Sequence, residues 1–251
     1  LFHPTTDLSK GYNNSQIAGV IIQNVSFRAS NRNTIHAWYL EKPRAHFTVL
    51  LSHGNGANLA YRADLIATLI DAGMSVLAYD YEGYGRSEGE PSIETACDDA
   101  RCAYEYLVKD RKIPAERIIL CGESLGTGIT GNLASKVRCA GVILQCPFVS
   151  LRKRATEILP IEHLYPQACF PENALDNGAV FSKAHAPLLI IGGVLDRILP
   201  IHHSEQLYQT ALEPKTFIPI EEAGHTGDPA LTSSTKYKEG LRIFLASLNK
   251  S

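Results

Sequence analysis

The chain is 251 residues long, with 45% hydrophobic and 20% charged residues and a formal net charge of -2. This ordinary globular composition excludes a disordered chain and a membrane bundle, and its scattered, near-neutral charge gives no electrostatic reason to bind nucleic acid or anionic lipid. No run approaches the roughly eighteen apolar residues of a membrane span and no signal-peptide pattern opens the chain, so a soluble single domain is expected; an anchor or leader ahead of Leu1, with the membrane association it would bring, stays open.

Residues 17–28 and 34–40 are β-rich and split by Ser30-Asn31-Arg32-Asn33, which predicts an antiparallel pair at one sheet edge. Phe47 to Ser52 is a continuous apolar run of the kind buried on both faces of a sheet, and His53-Gly54-Asn55-Gly56 follows at its carboxyl end. Open α/β sheets place ligands there, and glycines let backbone N–H groups approach a substrate oxygen. Leu65, Ile66, Leu69 and Ile70 recur at helical spacing within 59–72, and Gly73 is placed to end that helix. Ser75 to Tyr79 reads as a strand, and the polar, glycine-rich stretch from Asp80 to Gly89 as a structured loop beside the site. Asp80 reads as a turn-fixing acceptor in preference to a second catalytic carboxylate, and Tyr81 and Tyr84 as pocket walls or as packing against a neighbouring helix.

Ser92, with Thr95 three residues on, predicts the start of an amphipathic helix through Val108, and 117–121 is the central strand. Gly126, Gly128, Gly131 and Ala134 give the next helix a small face, expected to lie close against the sheet. Gly141 to Cys146 is a further buried strand, ended by Pro147-Phe148. Val149 to Lys183, interrupted by Pro160, Pro166 and Pro171, reads as a small lid or insert in which Leu151, Ile158, Leu159, Leu164, Tyr165 and Phe170 line an acyl pocket or fill a satellite core. Pro187 to Ile191 and Thr216 to Ile220 are the last strands, and Ser234 to Leu248 closes the chain as an amphipathic helix. Strands alternating with helices along nearly the whole length predict an α/β fold of one domain over 1–251: a mainly parallel central sheet with helices on both faces and the insert at about 149–183.

The chemistry centres on Gly122-Glu123-Ser124-Leu125-Gly126, which follows the apolar run Ile118 to Cys121 and precedes a helical segment. A serine on a sharp strand-to-helix turn needs small flanking residues, because Cβ atoms at 122 and 126 would collide with neighbouring chain. Ser124 is therefore the expected nucleophile. The pentapeptide by itself arises by chance in about one in ten chains of this size, so its context decides. Asp196 lies just past a strand end, between Gly192-Gly193 and Pro200, where a carboxylate can reach a histidine, and is the expected catalytic acid; a helix N-cap for the segment starting near His202 is the alternative. His225, in the loop after the last strand, is the expected base. The backbone N–H groups of Asn55 and Leu125 are the expected oxyanion donors, and Gly56, Tyr81, Phe148 and Leu151 the expected substrate-binding positions.

His53 precedes the nucleophile and reads as a loop-fixing residue. His202 and His203 are adjacent, so they should diverge on a helix and make a poor metal pair, and surface placement is expected. The six cysteines show no metal spacing. Free thiols are expected, with Cys139 and Cys169 the pair to examine in an exported protein.

With His53-Gly54, Gly122-x-Ser124-x-Gly126, Asp196 and Gly224-His225 in this order, the chain resembles the α/β-hydrolase family over roughly residues 20–248. His53-Gly54-Asn55 and Tyr79-Asp80-Tyr81-x-Gly83-Tyr84-Gly85-x-Ser87 resemble the branch that includes membrane-tethered serine hydrolases and protein depalmitoylases. The resemblance implies a Ser124–His225–Asp196 triad, an acyl-enzyme intermediate and no metal or cofactor. The expected substrate is a small carboxylic ester of short to medium acyl chain, with thioesters close by. Peptide or amide cleavage of the proline-releasing aminopeptidase type is the second reading, and a non-catalytic binding module on the same scaffold the third.

Overall fold

The computed structural model describes residues 1–8, 11, 15–158 and 175–249. Its main sheet has strands β1 (Gln23–Arg28), β2 (Thr34–Leu40), β3 (Thr48–Ser52), β4 (Ser75–Tyr79), β5 (Ile118–Glu123), β6 (Gly141–Gln145), β7 (Leu188–Gly193) and β8 (Lys215–Ile220). They lie in the order β8-β7-β6-β5-β3-β4-β2-β1. From β4 to β8 every neighbour is parallel, and β2 runs antiparallel to both β1 and β4. β3 to β7 are buried along their whole lengths, which is why they read as unbroken apolar runs and not as alternating ones.

Successive residues of these strands feed two cores, one on each face. Val49, Leu51, Ile119 and Cys121 meet Leu65, Ile66, Leu69 and Ile70 of α1 (Ala63–Asp71) and Tyr237, Leu241 and Phe244 of α8 (Thr235–Leu248). Leu50, Ile118 and Leu120 meet Ala96, Ala100 and Ala103 of α2 (Ile93–Glu105) and Ile129 and Leu133 of α3 (Leu125–Ala134). Each such buried Leu or Ile contributes about 1.5–3 kcal/mol relative to exposure. α2 begins with the expected capping box, Ser92 and Thr95 exchanging side chain and backbone bonds. The remaining helices are α4 (Leu151–Ile158), α5 (Asn177–Phe181), α6 (His202–Thr210) and α7 (Pro229–Ser233).

Two expectations change. Residues 17–28 are not one strand: Ile17 pairs with Val20 across Ala18-Gly19, both at positive φ (47° and 74°), and only then does β1 begin. A two-residue turn of that hand closes a separate small hairpin, and alanine hides it in the sequence. The small face of α3 also has two destinations. Gly126 lies against the sheet as expected, whereas a Cβ on Gly128 would sit 2.6 Å from Phe148 and one on Gly131 would overlap Asn177. The glycines thus fit the helix between the sheet and the flanks of the predicted insert.

Of that insert, α4 and α5 are described, joined near their bases by a bridge between Ser150 and Asp176. Leu159, Pro160, His163, Leu164, Tyr165, Pro166, Cys169, Phe170 and Pro171 lie outside the described residues. Cys97, Cys102, Cys121, Cys139 and Cys146 are free thiols. Among the described residues no helix is long and apolar enough to cross a membrane.

Candidate active site

Ser124 ends β5 with φ 53° and ψ -118°, a region that costs a non-glycine residue about 1–3 kcal/mol. The glycines around it make the turn possible. A Cβ on Gly122 would stand 2.5 Å from the Gly126 carbonyl oxygen and 2.6 Å from Thr130 Oγ1, and one on Gly126 would overlap the Ser52 carbonyl oxygen. The turn is tied on both sides: the Ser124 N–H donates to the Gln145 carbonyl (3.0 Å), and its own carbonyl accepts from the Thr127 N–H (2.9 Å) and hydroxyl (2.6 Å). Leu125 is the first residue of α3, where a backbone N–H has no partner within the helix.

Asp196 and His225 arrive from the loops after β7 and β8. Gly193 lets these loops touch, since a side chain there would overlap the Ala223 and Gly224 backbone. His225 Nε2 lies 2.9 Å from Ser124 Oγ, and His225 Nδ1 2.6 Å from Asp196 Oδ2. The carboxylate can only accept, so Nδ1 carries the proton and Nε2 is left to accept from the serine hydroxyl. The other carboxylate oxygen, Oδ1, takes the N–H groups of Ile198 and Leu199, both at 2.8 Å. Burial pushes the Asp196 carboxyl upward, but the bonds from His225 and these two amides outweigh it and hold it below the usual carboxylate range. Those amide bonds also give the N-cap reading its due: the same carboxylate closes the turn and orients the imidazole. Asp228, which sequence reasoning missed, fixes the histidine loop by accepting the Gly224 N–H (2.7 Å) and donating its own N–H to the His225 carbonyl (3.0 Å).

His53 stands outside this relay. Its Nδ1 donates to the Gly54 carbonyl (2.7 Å), its ring lies 4.4 Å from that of Tyr81, and burial lowers its pKa to about 4. Asp80 accepts the Leu59 N–H (2.7 Å), the turn-fixing role expected of it. Tyr81 and Tyr84 are fully buried, and their hydroxyls donate to the His53 and Asn55 carbonyls (both 2.7 Å), so Tyr81 supports the loop from behind and is not a pocket wall. Phe148 is buried against α3, Leu151 is half-buried, and Gly56 borders space in which a Cβ would meet nothing within 4 Å. Arg62 and Glu123 form a further pair that sequence reasoning missed: the guanidinium Nε lies 3.1 Å from the buried carboxylate next to Ser124, and Nη2 donates to the Gly56 carbonyl (2.7 Å). The only sequence signal was a charged residue in the variable position of the serine motif.

Among the described residues, two groups of side chains bring three metal-type donors within 4.8 Å. In the first, Cys146 lies behind Asp196 and His225, whose mutual hydrogen bond already occupies the facing atoms. The second corrects two expectations, that His202 and His203 diverge and that His203 lies at the surface, while His202 is exposed as expected. Their rings stack at 4.6 Å, His203 is fully buried, and their Nε2 atoms face the two oxygens of Glu157 on α4 at 3.3 and 2.7 Å. The Val149 N–H points at His203 Nδ1 (3.5 Å), which leaves the proton on Nε2, toward the carboxylate. That is a hydrogen-bonded tie between α4 and α6.

An eight-stranded sheet with one antiparallel strand, β2, next to its edge, and a hydroxyl, imidazole and carboxylate at the carboxyl ends of its strands, defines an α/β-hydrolase. Residues 42–181 match the family described as serine aminopeptidase, S33, and the chain belongs to it. It is 35% identical over 200 residues to Mycobacterium tuberculosis Rv2307c, covering 78% of this chain and 69% of that protein. It is 33% identical over 210 residues to the Xenopus tropicalis alpha/beta hydrolase domain-containing protein 17C, covering 81% of this chain and 63% of that one, in line with the branch its motifs resemble. Among solved structures it is similar to the Pyrococcus furiosus esterase Pf2001, with a TM-score of 0.80 at 17% identity and coverage of 99% and 98%. A likeness at that identity shows the shared fold.

Proposed function

We propose that this hydrolase cleaves carboxylic esters of short to medium acyl chain, with thioesters as neighbouring substrates, through Ser124, His225 and Asp196. The observation that carries the reading is the unbroken contact from Asp196 through His225 to Ser124 Oγ, at 2.6 and 2.9 Å, on a strained turn that presents the hydroxyl. His225 Nε2 takes the serine proton as Oγ attacks the acyl carbonyl, then returns it to the leaving alkoxide or thiolate; water repeats the cycle on the acyl-enzyme. The Asp196 carboxylate holds the tautomer and balances the imidazolium. The N–H groups of Leu125 and Asn55 bind the developing oxyanion, each worth about 3 kcal/mol in the transition state. The Asn55 side chain is committed elsewhere, donating to the Leu1 carbonyl (3.0 Å), which favours its backbone for this role. Leu151, half-buried beside Phe148, and the open face at Gly56 border the acyl group in this reading.

Ser124→Ala should abolish turnover of p-nitrophenyl butyrate and labelling by a fluorophosphonate, and retention of either sinks the proposal. Asp196→Asn should keep the fold and lower kcat by about 10⁴, the cost of presenting the wrong imidazole tautomer. The family description favours one other reading, aminopeptidase action. It needs a free carboxylate for the substrate amine, and Glu123, the acid adjacent to Ser124, is held by Arg62. A panel of acyl esters, acyl thioesters and aminoacyl anilides separates the two, and a preference for the anilides would put aminopeptidase action ahead of ester cleavage.

A further inference from the structure

Four consecutive carbonyls, those of residues 53 to 56, each receive a hydrogen bond from a side chain. Tyr81 Oη donates to His53 O (2.7 Å), His53 Nδ1 to Gly54 O (2.7 Å), Tyr84 Oη to Asn55 O (2.7 Å) and Arg62 Nη2 to Gly56 O (2.7 Å). The Asn55 carbonyl takes a second bond from the His3 N–H (3.0 Å), and Tyr84 Oη in turn accepts that same N–H at 3.2 Å. In a trans peptide the C=O of one residue and the N–H of the next lie in one plane and point in opposite directions. A carbonyl pinned on one side therefore aims the following N–H to the other.

Resting on the function proposed above, we infer that His53, Tyr81, Tyr84 and Arg62 are positioning residues that hold the carbonyls of this loop outward and so keep the Asn55 N–H trained on the reacting oxygen. The peptide that matters most joins Gly54 to Asn55, and His53 governs it. A carbonyl only accepts, so the bond requires the proton on Nδ1: burial keeps the ring neutral, and the Gly54 carbonyl selects the tautomer. The neighbouring peptides are locked by two tyrosines from the loop after β4, which passes beneath the loop after β3 because those strands are adjacent in the sheet. That lower loop is itself fastened: Ser87 Oγ donates to the Asp80 carbonyl (2.7 Å), and the Glu82 N–H to Oδ2 of the buried Asp99 (2.9 Å). An oxyanion donor stabilises the transition state only if it needs no reorientation as charge develops, and this arrangement supplies that rigidity.

Replacing each tyrosine by phenylalanine removes the donor and keeps the ring. Tyr84→Phe and Tyr81→Phe should each lower kcat about tenfold per active site titrated with fluorophosphonate, and leave KM within about twofold. Affinity for an acyl trifluoromethyl ketone, whose serine adduct places an oxyanion in the same position, should fall by the same factor as kcat/KM. Tyr104→Phe, whose lost hydroxyl served only the Arg138 carbonyl (2.6 Å), should change neither value. A merely structural role would lower the titratable fraction and the melting temperature but not kcat per site. Unchanged kcat and unchanged ketone affinity in the double variant would overturn the inference, as would a fall in kcat without a matching fall in ketone affinity. Should the double variant not fold, Tyr84→Phe alone decides by the same pair of numbers. Failure of the esterase reading looks different: there the native protein resists the probe, or Ser124→Ala stays active.

Discussion

The turn at Gly122–Gly126 and the loop at His53–Gly56 face each other across the carboxyl ends of β5 and β3, yet they keep their shapes by opposite means. At the turn the constraint is an absence: no Cβ fits at 122 or 126, and the backbone of Ser124 is held at positive φ by main chain and Thr127 close around it. At the loop one constraint is local, His53 bonding the Gly54 carbonyl, and the others are added from outside, by side chains at positions 62, 81 and 84 and by the chain at His3. Local sequence can encode the first arrangement but only part of the second.

The largest expected effect tests the turn. Gly126→Ala places a methyl group into the Ser52 and His53 carbonyls, backbone atoms that cannot swing aside, and should destabilise the protein by about 4 kcal/mol or more. Gly56→Ala, in the loop, meets nothing within 4 Å and should stay within about 0.5 kcal/mol. Urea denaturation of the two variants compares the regions directly, and similar losses in both would erase the distinction. If Gly56 borders the acyl group as proposed, any change in that variant should appear in KM and not in stability.

The Arg62–Glu123 pair is a charged link between the two regions, its side chains 14% and 3% exposed. Arg62→Gln should cost about 3 kcal/mol, most of it from leaving the Glu123 charge buried and alone. Adding Glu123→Gln should recover most of that loss, which a double-mutant cycle measures. If the double variant is no more stable than the single one, Arg62 acts through its bond to Gly56 and not through the carboxylate.

The same contrast explains what could be read from the sequence. The five fully buried strands announced themselves as apolar runs, and Ser124, Asp196 and His225, which the fold brings into contact, were legible because glycine spacing and strand-end position are local marks. The tyrosines of the 80–89 loop were visible as residues but not as donors, since their acceptors lie in the loop after another strand and burial does not show in composition. Arg62 and Asp228 carried no mark at all. His203 was misplaced for a related reason: helical geometry separates adjacent side chains, but here the pair opens α6, where both rings can turn to Glu157 across the interface with α4. Ala18 concealed a turn because positive φ is expected of glycine and asparagine first.

The smallest effect, read per pH unit, is a slope with pH, and it bears on the support of the loop. Asp99 accepts the Glu82 N–H, yet it is buried, with Glu82 and Asp98 as nearby carboxylates; burial first, then repulsion from those two, raises its pKa to about 8. Between the unfolded value near 4 and this folded value, the native protein holds a proton that the unfolded chain has released. Stability from this group is therefore fully present below about pH 4 and is lost as pH rises toward 8, by at most about 1.4 kcal/mol per pH unit. Asp99→Asn keeps an oxygen for the Glu82 N–H and removes the titration, so its unfolding free energy should fall less steeply than wild type across that window and exceed it at pH 8. Chemical denaturation at pH 5, 6, 7 and 8 gives both slopes. Parallel slopes would mean that Asp99 is ionised in the folded protein, and the loop that carries Tyr81 and Tyr84 would then rest on a charged acceptor and not on a neutral one.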